Sequence, residues 1–141
     1  MGKHVKAFTA EFKIASVRSG DCCQTIRRKS KTKPVTGGDS ILFHGWEGKP
    51  RHSKWSWRMR VEVSEVMDVS IYESGIYQYH YPIIKNNHWS NWESETTNEL
   101  AKRDGFKNGA EMKEWFMEHY GKILREENRF QIIRWYPEVM E

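Results

Sequence analysis

The sequence predicts an α+β fold. Strand patterns fill the first half, helical periodicity takes over in the last third, and a strand pattern returns at the end. Three stretches carry this reading. WSWRMRVEV (55–63) alternates apolar and polar residues, as a half-buried strand does. Met112, Trp115, Phe116, His119 and Tyr120 recur at helical spacing. RFQIIRWY (129–136) reads as a strand that returns from far along the chain, so it is expected to close a small barrel. With 141 residues, one domain spanning 1–141 is expected.

Each element follows from its local chemistry. Residues 4–8 (HVKAF) read as a first strand. Phe8, Phe12 and Ala15 fall on one helical face, and Gly20 is the expected C-terminal cap. Cys22 to Arg28 reads as a strand, with Cys23, Thr25 and Arg27 on one face. KSKTKPVTGG (29–38) is a polar loop, and after Asp39 the SILF stretch begins another strand. HGWEGKPRHSK (44–54) is a second polar loop.

In WSWRMRVEV, Trp55, Trp57, Met59, Val61 and Val63 share the apolar face, so both tryptophans are expected in the core. Val66 to Ile71 reads as a separate strand, and 76–81 (IYQYHY) as another, limited by Pro82. Ser94 and Thr97 open a helix that runs to about Arg103 and stops at Gly105. Asn108 and Glu111 form a capping box for a second helix, with Gly121 as its end. The aromatic stripe on that helix is expected to be core.

The net charge of +4 is unevenly spread: residues 1–60 hold 14 Lys and Arg against 4 Asp and Glu, and residues 61–141 hold 9 against 15. A basic first half attracts an anionic polymer or a phosphate-bearing ligand. Arg27, Arg28, Lys29, Lys31 and Lys33 form one run of cations; Lys49, Arg51, Lys54, Arg58 and Arg60 follow. Trp46, Trp55 and Trp57 are interleaved with them, and Trp46, in a glycine-rich loop, is the best candidate to stack on a base. His44 and His52 flank the same loop and are the residues a ribonuclease reading would use.

Cys22 and Cys23 are the only cysteines, and their adjacency disfavours both a disulfide framework and a zinc site. No metal and no cofactor are expected. No run of about 18 apolar residues exists, and the N-terminal stretch lacks the apolar centre of a signal peptide. A soluble cytoplasmic protein without a membrane partner is the expectation.

Several stretches in order resemble the ASCH domain family, a branch of the PUA-like barrels. They are FTAEF (8–12), GDCCQTIR (20–27), GDSILF (38–43), DGF (104–106), EMKEWF (111–116) and QIIRW (131–135). The resemblance implies a small, partly open barrel of about five to seven strands flanked by helices, closed by the final strand, with a cleft beside the strand of the first motif. It implies RNA, or a modified nucleoside or nucleotide, as partner. It also implies, for some members, an amidohydrolase that deacetylates acetylcytidine, and for another a ribonuclease.

The family's first motif reads G-x-K-x-x-T-x-R. Its threonine and arginine fall on Thr25 and Arg27, its later acid on Asp104, and its lysine on Cys22. Thr25, Asp104 and Cys22 are therefore the candidate catalytic residues. Arg27, Arg28, Lys29, Lys31, Lys33, Trp46, Lys54 and Arg58 are the candidates for binding RNA or phosphate. Cys22 cannot supply the missing cation, so enzymatic activity is left open. A thiolate at that position would need its cationic neighbours to lower its pKa.

Overall fold

Alternation and capping produce nine elements in a computed structural model that describes residues 2–72, 75–78, 95–126 and 128–140. In chain order they are β1 (Lys3–Ala7), α1 (Glu11–Ser19), β2 (Gln24–Arg28), β3 (Ser40–Trp46), β4 (Trp55–Tyr72), β5 (Gly75–Gln78), α2 (Glu95–Arg103), α3 (Gly109–Glu126) and β6 (Phe130–Trp135). The strands form one mixed sheet in the order β1-β3-β4-β6-β2, with β5 paired to β4 off this path. Only β1 and β3 run parallel.

The two expected strands at 55–63 and 66–71 are one 18-residue strand. Its register shifts between Val63 and Glu65, leaving Ser64 as the irregularity. A bulge of this kind bends a strand and raises its twist. Here it lets the first half of β4 pair with β3 and the second half with β6.

The sheet is not closed into a barrel. The last strand is inserted between β4 and β2, leaving β1 and β2 as the ends of the path. Side chains join these edges: Arg27 Nη2 donates to the Ala7 carbonyl at 2.8 Å, and Lys33 Nζ to that of Lys3 at 2.5 Å. β1 pairs only with β3 and β2 only with β6 among the described strands, so side-chain bonds, not a backbone ladder, link the two edges.

Two apolar clusters flank the sheet. One joins Phe106, Met112, Phe116 and Leu124 to Ile26, Val69, Phe130 and Ile132. The other joins Phe8, Val17 and Cys22 to Ile41, Phe43, Val61, Val63 and Trp135.

Four local expectations change. α1 buries Lys13 and Val17 rather than a Phe8–Phe12–Ala15 face; Phe12 is 48% exposed, and Phe8 is core but precedes the helix. α3 does not stop at Gly121 but runs on to Glu126, because Leu124 in the next turn is buried in the first cluster. That burial offsets the roughly 1 kcal/mol a mid-helix glycine costs. His119 is not core: it is exposed, its ring stacked on Trp115 with centroids 4.2 Å apart. Trp55 leaves the Trp57 face, because the β3–β4 register shifts between Gly45 and Trp46; it lies exposed, stacked on His44 at 3.9 Å. The strand at 76–81 is seen over Gly75–Gln78; the rest of it, Pro82 and Ser94 lie outside the described residues.

Candidate functional site

A half-open cleft of about 90 Å³ lies between the sheet and the helices. Its polar lining includes Lys13 from α1, Thr25 and Arg27 from β2, Asp104 from the turn after α2, and Thr9 from the segment before α1. Its apolar wall includes Phe8, Phe106, Trp115, Phe116 and Tyr120. This is less than the ~300 Å³ of a drug-sized pocket, so it admits one small group and not a whole drug-sized ligand.

Lys13 is the residue that sequence reasoning missed. Its side chain is almost fully buried, and its Nζ donates to Asp104 Oδ2 at 3.2 Å. Nζ also lies 5.4 Å from the centre of the Phe8 ring. Its spacing does not mark it, because it lies one position off the expected Phe8–Phe12–Ala15 face.

Asp104 is fixed by the DGF step. Gly105 adopts φ +94°, the left-handed conformation that ends a helix. Gly105 N–H bonds to the Lys102 carbonyl, and Phe106 N–H reaches back to Ala101 at 2.9 Å. A β-carbon on Gly105 would stand 3.2 Å from Lys13 Cβ, so the glycine also permits the close approach of the two segments. Phe106 then packs on Phe12 and Trp115 beside the cleft.

The second oxygen of Asp104 accepts from Gln24 Nε2 at 3.2 Å. Gln24 is fully buried; it also donates to the Leu100 carbonyl and accepts from Arg134 Nε at 2.9 Å. Burial pushes the Asp104 pKa up, and the Lys13 charge, the Gln24 hydrogen bond and Arg27 offset this only in part. The carboxyl therefore holds a proton more readily than a surface aspartate.

Arg27 packs its guanidinium over Phe8 at 4.8 Å and Phe43 at 5.9 Å. Burial lowers its pKa to about 10, against the opposing influence of Tyr120 and Asp104. Its Nε is buried without a hydrogen-bond partner among the described residues.

Three of the four motif residues thus converge, and Cys22 does not. Its buried thiol donates to the Arg103 carbonyl at 3.1 Å and the Gln24 carbonyl at 3.5 Å, outside the cleft lining. Burial raises its pKa despite the opposing charge of Lys13, so the thiolate is disfavoured. Cys23 is half-buried, and its thiol bonds to the Gly20 carbonyl.

The basic residues do not share one groove. Arg28, Lys29 and Lys31, with Arg129, surround a separate concavity of about 350 Å³. Within it Lys29 is paired to Asp68 at 2.5 Å. Lys33 holds β1, as described above. Trp46 lines a third hollow, Lys54 is exposed in the following loop, and Arg58 lies beside Met140 in another depression. His44 is buried under Trp55 and His52 is exposed in the loop; neither lines the cleft. Among the described residues, no group of three or more His, Cys, Asp or Glu is arranged to hold a metal ion. No helix among them is long and apolar enough to cross a membrane.

No family model matches the chain, and no curated protein matches it. Among solved structures, the chain is similar to the hypothetical protein PH0355. The match covers 98% of this chain and 99% of that one, with a TM-score of 0.54 and 15% sequence identity. At this identity the likeness concerns the fold: a small α+β arrangement of the same extent.

Proposed function

We propose that this chain is an ASCH-type, PUA-like domain that binds a modified nucleoside, free or within a nucleotide or RNA, in the cleft beside β2. One observation carries the reading: Lys13, Thr25, Arg27 and Asp104 meet in a single aromatic-lined cavity. A base edge can pack on the aromatic lining, and the four polar groups can read its substituents. The dispersal of the basic residues over separate hollows favours a nucleoside or a short oligonucleotide over a long polymer lying in one groove.

The Lys13–Asp104 pair favours a second reading, hydrolysis of an acyl amide on that base. The family-type lysine is absent from position 22, but Lys13 brings an ammonium to the same cleft as Thr25. Attack by water, positioned by Thr25, would break the amide C–N bond. Arg27 and Lys13 would stabilise the oxyanion, and the Lys13–Asp104 pair would carry the proton to the leaving amine. The products are a carboxylic acid and the free amino base.

Incubation with acetylcytidine, followed by chromatography, tests the hydrolase reading. It expects cytidine and acetate from the wild type and at least 100-fold less from Thr25→Val, in line with the ~10²–10⁴-fold worth of one positioned catalytic group. Turnover that survives Thr25→Val would refute the site. Calorimetric titration with the same nucleoside tests the binding reading: saturable binding supports it, and absence of heat with this and other base-modified nucleosides contradicts it.

A further inference from the structure

We infer that the hollow carrying Trp46 is a second base-binding subsite, so that the ligand is an oligonucleotide with one base in the cleft and its neighbour on Trp46. This rests on the proposal that the cleft takes a base. The hollow encloses about 340 Å³ and is lined by Trp46, Trp57, Pro50, Ile14 and Glu11. Phe8 and Thr9 line both it and the cleft, so the two cavities lie on either side of one short segment.

The aromatic lining is built into the strands. Gly45 is buried opposite Trp57, and a β-carbon there would stand 2.2 Å from the Trp57 indole nitrogen. The glycine therefore lets the Trp57 ring lie across β3. On the inner side, Phe8 stacks on that ring at 6.3 Å and an interplanar angle of 22°. Trp46 is held edge-on by the buried His44 ring at 4.9 Å and remains half-exposed.

The flanking loop is tied in place by four hydrogen bonds: Glu47 N–H to Lys54 O, Gly48 N–H to Ser53 Oγ, Ser53 Oγ–H to Lys49 O and His52 N–H to Lys49 O. It presents Lys49, Arg51 and Lys54 to solvent. Two indole rings suit a flat base, and three exposed cations beside them suit its phosphates. Glu11, at the rim, can accept from an exocyclic amino group, which favours adenine, cytosine or guanine over uracil.

Fluorescence titrations with acetylcytidine and with a dinucleotide of acetylcytidine and adenosine test the inference. The dinucleotide should bind about ten-fold more tightly than the nucleoside, the scale expected for one stacked base. Trp46→Ala should remove that advantage and leave nucleoside binding unchanged. Lys49→Glu with Lys54→Glu should weaken the dinucleotide alone and reduce its salt dependence. Equal affinity of the wild type for both ligands, or an undiminished advantage in Trp46→Ala, would overturn the subsite and leave the cleft reading intact. No binding of either ligand would overturn both.

Discussion

Lys13 and Asp104 share one buried contact, and neither can lose the other cheaply. Removing one partner of a buried pair leaves an uncompensated charge, at a cost of about 3–5 kcal/mol, whereas replacing both with apolar groups is often neutral or better. Lys13→Met is therefore expected to lose about 3 kcal/mol or more in urea unfolding. The double variant Lys13→Met/Asp104→Leu should recover most of that loss. Equal stability of the single variant and the wild type would mean that the pair carries no weight in the fold.

The motif resemblance groups Thr25, Arg27 and Asp104 by their places along the chain, and the structure brings the three to one cleft. Lys13 stands outside that group. A lysine in a nine-residue helix without a clear apolar face reads as surface, and only the approach of the DGF turn from 91 positions away brings it to the cleft. Cys22 misled for the complementary reason: a motif position can be counted along the chain, but the direction of a side chain before a strand cannot.

Among the elements, the turn at 104–106 positions the site most directly. Gly105 combines a left-handed φ with a close approach to Lys13. Gly105→Ala should cost about 1 kcal/mol or more, since alanine is strained where φ is positive. It should weaken nucleoside binding in parallel, because it moves Asp104. Unchanged unfolding and unchanged binding would show the turn to be tolerant.

α3 starts as the sequence indicates, with Asn108 Oδ1 accepting from Glu111 N–H at 2.9 Å. Asn108→Ala should cost about 1 kcal/mol by loss of this cap. The start of α3 was legible because capping is local. Its end was not, since the burial of Leu124 overrides Gly121. The split of β4 was misread similarly: residues 64 and 65 look like a break, but a bulge carries the strand through.

For the whole molecule, the α+β class was legible from the change of period along the chain. Barrel closure was not, because pairing partners are a long-range choice: β6 enters between β4 and β2 instead of joining the two edges. The β1–β3 corner also sets a pH response. Asp39 is buried, which alone would raise its pKa. Hydrogen bonds from His4 at 2.8 Å and from the Thr36 and Gly2 amides outweigh this and hold it below the usual carboxylate range. A carboxyl with a depressed folded-state pKa stabilises the fold above its unfolded value of about 3.9, and that contribution is lost as the pH falls below it. The wild type should therefore lose stability between about pH 4 and pH 2 more steeply than Asp39→Asn, as read by thermal unfolding. Parallel profiles would contradict the assignment.

The central claim is that the buried Lys13–Asp104 pair belongs to a ligand site and is not merely structural. Calorimetric titration of acetylcytidine into the wild type and into Lys13→Met/Asp104→Leu, after both are shown to be folded, tests this most directly. Saturable binding to the wild type and at least a ten-fold loss in the double variant are expected. Equal binding by the two folded proteins, or no binding by the wild type, would contradict it.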